Sequence, residues 1–208
     1  MGKHLKSADN KILARIYGFG MGVVVFSPAT FQDLGSPDAI HNALSRHAKA
    51  GTIRQLARGL YDYPRKDPQL GVLAPSVEAI ADAIKGRDAV RIQSSGAYAA
   101  NRLGLSDQVP MRVVFATDGS RRKVKVGNLQ ILLKPTTPRN MAMAGKISGL
   151  ITQALQHLGQ QNFTDDMLTT LRRRLTDADR KQLLKDIRYP PAWIAGVFRR
   201  LAADKPKI

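Results

Sequence analysis

The chain has 208 residues, of which 43% are apolar and 24% charged, enough for one mid-sized domain or two small ones with real cores and not the composition of a disordered chain. The 33 Lys and Arg against 16 Asp and Glu leave a net charge of +17, which excludes an acidic mimic and points to a polyanionic partner, most often nucleic acid. The absence of cysteine excludes disulfides, a thiol nucleophile and cysteine-ligated zinc. Met1–Asn10 offers no apolar segment of a signal peptide, and the longest apolar run, Met21–Phe26, is far short of a membrane span. The expectation is a soluble, cytoplasmic protein with no membrane partner.

Ser7 to Tyr17 predicts a helix, with Ser7 as N-cap and Ile12, Leu13, Ile16 and Tyr17 at helical spacing. Gly18, Gly20 and Gly22 end it, and Val23–Phe26 predicts a short β-branched strand. Ser27-Pro28 starts a second helix toward Leu34, and after Gly35 the pair Ser36-Pro37 starts a third, which runs to Ala50 and closes at Gly51. In the third helix Ile40, Ala43, Leu44 and His47 form an inward stripe, while Asp38, His41, Asn42, Ser45, Arg46 and Lys49 share the outward face. Thr52–Leu56 and Leu60–Tyr63, joined through Ala57-Arg58-Gly59, predict a hairpin. This order is that of a winged helix-turn-helix.

Tyr63-Pro64-Arg65-Lys66-Asp67-Pro68 predicts a linker, because two prolines flanked by charge interrupt the pattern. Nine Lys and Arg against four Asp give +5 through residue 65 and leave +12 beyond it. Further on, Pro75–Lys85 predicts a helix, Ala89–Ile92 a strand, and Ser94-Ser95 the cap of a short helix ending near Leu103. Met111–Thr117, Arg121–Val126 and Leu129–Lys134 predict an antiparallel meander, turned at Asp118-Gly119 and Gly127-Asn128. Helices follow over Met141–Leu158, Thr164–Leu175, from Thr176 with Asp179 as a capping box, and from Pro190-Pro191 to Ala202. The expected fold class is α+β: a winged helix-turn-helix domain over 1–65 and, over 66–208, a domain with a small antiparallel meander covered by helices.

A helix-turn-helix places its second helix in the major groove, and there His41, Asn42, Ser45 and Arg46 are the candidate base contacts, since Asn pairs with adenine and Arg with guanine in bidentate fashion. An ordinary solvated helix face is the competing explanation. Ser27, Thr30, Lys49, Arg54 and Arg58 are the candidate phosphate contacts around it. Arg121, Arg122, Lys123 and Lys125, with Arg172, Arg173 and Arg174, form basic runs that are either solvated surface or a second contact surface for a toxin or nucleic acid. Gly18-x-Gly20-x-Gly22 lacks the spacing and context of a nucleotide loop and predicts a tight turn. The histidines at 4, 41, 47 and 157 lack metal-ligand spacing, and His47 is expected half-buried in the core. Asp165-Asp166 and Asp177/Asp179 are accounted for by helix starts, so no catalytic constellation, metal or cofactor is expected.

Ile16-Tyr17-Gly18, the valine-rich strand to Phe26, Asp33-Leu34-Gly35-Ser36, Ala43-Leu44-Ser45-Arg46 and Ile53 through Pro64 resemble the N-terminal winged-helix domain of the AbiEi-type antitoxin family. Ser95 through Asn101, Leu103-Gly104-Leu105-Ser106, Thr117-Asp118-Gly119 and Pro138-Arg139-Asn140-Met141 resemble a branch of those antitoxins found on mobile elements, so the resemblance covers nearly the whole chain. It implies an antitoxin of an abortive-infection or element-maintenance toxin-antitoxin pair. Its N-terminal domain would repress its own promoter, double-stranded DNA with repeats, and its C-terminal domain would counter an AbiEii-like nucleotidyltransferase toxin. A free-standing winged-helix transcription regulator with a ligand-sensing or oligomerising C-terminal domain is the alternative, and a nuclease a third.

Overall fold

The computed structural model describes residues 7–203; His4 lies outside them. Helices and several sheets alternate along a chain that divides into two compact units, residues 1–90 and 91–208.

In the first unit α1 (Ala8–Phe19) starts at Ser7, whose hydroxyl accepts from the Asn10 amide. β1 is shorter than its valines suggest, only Val25–Phe26, and the helix expected after Ser27-Pro28 is a single 3₁₀ turn, Pro28–Phe31. α2 (Pro37–Lys49) is capped by the Ser36 hydroxyl and buries Ile40, Ala43, Leu44 and His47. β2 (Arg54–Ala57) and β3 (Leu60–Asp62) follow, and the antiparallel sheet runs in the order β1-β3-β2. Ile12 and Ile16 of α1 meet Ile40 and Leu44 of α2 over Phe26, Phe31 and Tyr61; Phe31 stands edge-on to Phe26, ring centroids 5.5 Å apart, a geometry aromatic quadrupoles favour.

The expected boundary at 65/66 falls inside this unit. The Gly22 amide donates to the Tyr63 carbonyl, the Leu73 amide to the Arg65 carbonyl, and β4 (Lys66–Asp67) pairs with β5 (Gly71–Val72). The Asp67 carboxylate accepts from the amides of Gln69 and Leu70, and those two bonds hold its carboxyl below the usual range. The segment is therefore tied down and not a linker. α3 (Val77–Asp88) then packs against β1, β3 and the 3₁₀ turn, and Arg87 donates to the Arg58 carbonyl. Pro64 and Pro68 do remove donors, but the chain between them finds others.

In the second unit β6 is Ile92–Ser95, displaced from the expected 89–92 because Ala89, at φ 51°, ends α3. The Ser95 hydroxyl donates to the Val114 carbonyl instead of capping α4 (Gly96–Arg102). β7 (Arg112–Thr117), β8 (Arg122–Val126) and β9 (Leu129–Pro135) lie near their expected bounds, but they do not form a meander. The order is β6-β7-β9-β8, with β9 parallel to β7 and antiparallel to β8. β9 alone carries three consecutive buried apolar residues, Ile131, Leu132 and Leu133, the pattern of a strand covered on both faces, whereas β8 alternates and suits an edge. Asp118, expected in a hairpin turn, accepts instead from the backbone and guanidinium of Arg91, which hold its carboxyl below the usual range.

The helix expected over 141–158 is two: α5 (Pro138–Met141) and α6 (Ile147–Leu158). Gly145 (φ 78°) turns the chain between them, and its amide donates to the Gln93 side chain. α7 (Asp165–Arg174), α8 (Asp177–Lys185) and α9 (Ala192–Ala202) follow, with Thr164 and the Thr176/Asp179 capping box as expected. Ala99, Leu103, Ile151, Leu155, Leu171 and Phe198 share the helical core. Buried Asp186 joins α6 to the end of α8, accepting from Ser148, Gln182 and Lys146. Burial works to raise its carboxyl, and those three donors outweigh it and hold it low. No helix among the described residues is long and apolar enough to cross a membrane.

Candidate nucleic-acid interface

The outward face of α2 divides into two rows. His41, Ser45 and Lys49, spaced one turn apart, line an open groove of about 430 Å³ together with Ala48, Gln55 of β2 and Tyr61 of β3. Gln55 stands opposite Tyr61 in the hairpin register. Tyr61 is buried, and burial pushes its phenol up from its ordinary value, so the hydroxyl stays protonated at neutral pH. The groove thus offers one cation and several hydrogen-bonding side chains over an aromatic floor.

Asn42 and Arg46 form the neighbouring row, which leads toward α1. There one oxygen of Asp9 accepts from Arg46 at 2.6 Å and faces His47 Nε2 at 3.0 Å. Burial works to raise the Asp9 carboxyl, but the Arg46 hydrogen bond and the charges of His47 and Arg46 prevail and hold it below the ordinary range. Arg46 keeps 62% of its side chain exposed, so it is anchored at one nitrogen and open at the rest. His47 is buried, as its place in the stripe predicts, with Asp9 as its polar partner.

Of the expected phosphate contacts, Lys49, Thr30 and Arg58 are exposed. Thr30 accepts from the Ser27 amide, and Arg58 stands at the bend of the β2–β3 hairpin. Ser27 and Arg54 are corrections. Ser27 is 2% exposed beneath the 3₁₀ turn and cannot reach a phosphate. Arg54 donates from Nε (3.0 Å) and Nη2 (2.5 Å) to the buried Asp62 and from Nη2 to the Leu73 carbonyl (3.0 Å), so its guanidinium is committed inside the unit. Sequence reasoning missed Gln55 and Tyr61 as groove residues, because nothing local states which side of a short hairpin turns toward a helix.

The basic runs of the second unit separate similarly. Arg172 donates to the Arg200 carbonyl near the end of α9, and Arg174 to the Arg102 carbonyl at the end of α4. Arg180 donates to the Leu201 and Arg172 carbonyls. These guanidinium groups satisfy orphan carbonyls at helix C-termini, where positive charge is also favoured by the dipole. Arg172 and Arg174 are therefore structural, and Arg173 is the exposed member of that run that makes no such bond among the described residues. Arg121, Arg122, Lys123 and Lys125 are exposed along β8. Gly18, expected to end the first helix, lies inside α1, and the turn after it is made at Gly20 and Gly22; Gly22 (φ 73°) is required there because a Cβ would collide with Arg65. Among the described residues no three His, Asp or Glu side chains gather where they could hold a metal ion.

No curated protein matches the chain. Among solved structures it is similar to the crystal structure of the RV2827C protein from Mycobacterium tuberculosis, at 16% identity and a TM-score of 0.41 over 94% of this chain and 72% of that one. The model of the DUF6088 family, a family of unknown function, matches residues 11–183. With most of its length covered by that match, the chain belongs to the DUF6088 family.

Proposed function

We propose that the first unit is a winged helix-turn-helix that binds double-stranded DNA, with α2 in the major groove and the β2–β3 hairpin as its wing. The observation that carries this reading is the row His41, Ser45 and Lys49 on α2, aimed into an open groove that the hairpin completes with Gln55. Asn42 and the exposed part of Arg46 extend the polar face toward base edges, and Lys49 and Arg58 supply charge for phosphates. The net charge of +17 favours such a partner.

The resemblance of the motifs to AbiEi-type antitoxins extends the proposal. The chain represses its own promoter, and its second unit counters a nucleotidyltransferase toxin. The test is titration of the full chain against its own upstream DNA and a random duplex over a range of salt. Asn42→Ala should cost about 1–3 kcal/mol on the preferred site and relax sequence preference, whereas Lys49→Ala should weaken all duplexes alike and lower the salt slope by about 1. Wild-type behaviour of both variants would remove α2 from the interface. Growth rescue on co-expression with a neighbouring nucleotidyltransferase tests the antitoxin half.

A further inference from the structure

The sheet of the second unit has a basic face that interior strands complete. Lys123 and Lys125 stand on the side of β8 opposite the buried Val124 and Val126, and Arg121, just before the strand, continues that side. Arg122 pairs with Leu133, so Arg121 falls beside Lys134 of β9; Lys125 pairs with Gln130, which through the parallel ladder adjoins Arg112 of β7. Arg112, Arg121, Lys123, Lys125 and Lys134 are all exposed. Among the described residues none of these five side chains is drawn into a hydrogen bond or ion pair. No carboxylate occupies this face on any of the four strands. From strand dimensions the cations span roughly 14 Å along β8 and about 10 Å across to β7.

We propose that this face binds the phosphodiester backbone of duplex DNA without reading its sequence. Edge strands often carry lysines to prevent pairing with other chains, which accounts for Lys123 and Lys125. It does not by itself account for Arg112 and Lys134, which stand on β7 and β9, the interior strands of the sheet, just beyond the ends of their ladders with β6 and β8. Between its cations the face carries the amide of Gln130 and the apolar Val114, Ala116 and Leu132, and at its β6 end Gln93, which is buried and accepts from the Gly145 amide; it has no aromatic side chain on which a single strand would stack. A duplex carries one charge per ~1.7 Å of its axis, so several phosphates meet a patch of this size at once. An acidic polypeptide in extended form presents one carboxylate per ~7 Å on each side. The choice of DNA over RNA rests on the reading of the first unit as DNA-binding.

The experiment uses the full chain and fluorescence anisotropy with a short random-sequence DNA duplex across a potassium chloride series. Arg112→Gln/Lys134→Gln and, separately, Lys123→Gln/Lys125→Gln should each lower the slope of log K against log salt by about 2. The ratio of own-promoter to random affinity, which belongs to α2, should not change. If that ratio is absent in the wild type, the reading of the first unit fails while the slope test of the sheet still stands. Amine labelling of the wild-type lysines needs no variant: the duplex should protect Lys123, Lys125 and Lys134. An unchanged slope in the folded Arg112/Lys134 variant, or an unprotected Lys134, overturns the proposal. So does tighter binding of duplex RNA, single-stranded DNA or polyglutamate than of duplex DNA when that binding is lost in the variants.

Discussion

Arg54 and Asp62 allow a test in which the two ends of one ion pair are expected to be unequal. The Asp62 carboxylate is 1% exposed and takes two nitrogens of Arg54, whose own side chain is 31% exposed. Replacing Arg54 by Met leaves a buried charge with its principal partner gone, a change that costs about 3–5 kcal/mol in comparable sites. Replacing Asp62 by Leu leaves a cation that can turn toward water while keeping the Leu73 carbonyl, so the cost should be near that of a lost charged hydrogen bond, about 1.5–3 kcal/mol. The double variant Arg54→Met/Asp62→Leu should recover much of the loss, since an apolar pair of similar volume removes the desolvation penalty at both ends. Urea unfolding followed by far-ultraviolet circular dichroism gives all three values. Arg54→Met costing less than Asp62→Leu, or a double variant no better than Arg54→Met, would refute the reasoning. Under conditions where Arg54→Met remains folded, its DNA salt slope should equal that of the wild type, because the guanidinium is engaged inside the unit.

Two further predictions concern the helices. The Asp9 carboxyl is held below its ordinary value in the folded chain, so its contribution is present above the unfolded-state pKa of about 4 and is lost as pH falls through the lower folded value; Asp9→Asn should flatten the acid limb of a stability profile below about pH 4, and an unchanged limb would exclude it. Gly149→Ala would push a methyl into the Met143 carbonyl and the Gln93 side chain, and overpacking of that kind costs about 1–3 kcal/mol; thermal melting that matches the wild type would show that the α5–α6 connection yields.

The parts of the fold legible in the sequence are those set by short-range chemistry. Ser7, Ser36, Thr164 and Thr176 each cap the helix their position predicts, and Ile40, Ala43, Leu44 and His47 form the buried stripe of α2. What escaped depends on partners distant in the chain. Asp118-Gly119 has the local form of a hairpin turn, but Arg91, 27 residues earlier, claims the Asp118 carboxylate. Arg54 looked free because nothing near it states that Asp62 is buried. For the site, the polar face of α2 was readable from periodicity, whereas its division into a groove row and a row tethered to Asp9 needed α1 and the hairpin in place.

The placement of β9 between β7 and β8 also constrains the order in which the sheet can be assembled. β8 and β9 join across Gly127 and Asn128, a closure of small entropic cost, while β7 reaches β9 only over a loop that contains all of β8. Pairing β7 with β8 across Asp118-Gly119 is the shorter route and a dead end, since it occupies the edge of β7 that β9 requires. In the folded chain the Arg91–Asp118 contact holds the residue at that bend in a different bond. Parallel, non-local pairing is intrinsically slow to form, and the expectation is that refolding of the second unit follows this insertion and not its helices; stopped-flow refolding in which helical signal and sheet burial recover at the same rate would refute it.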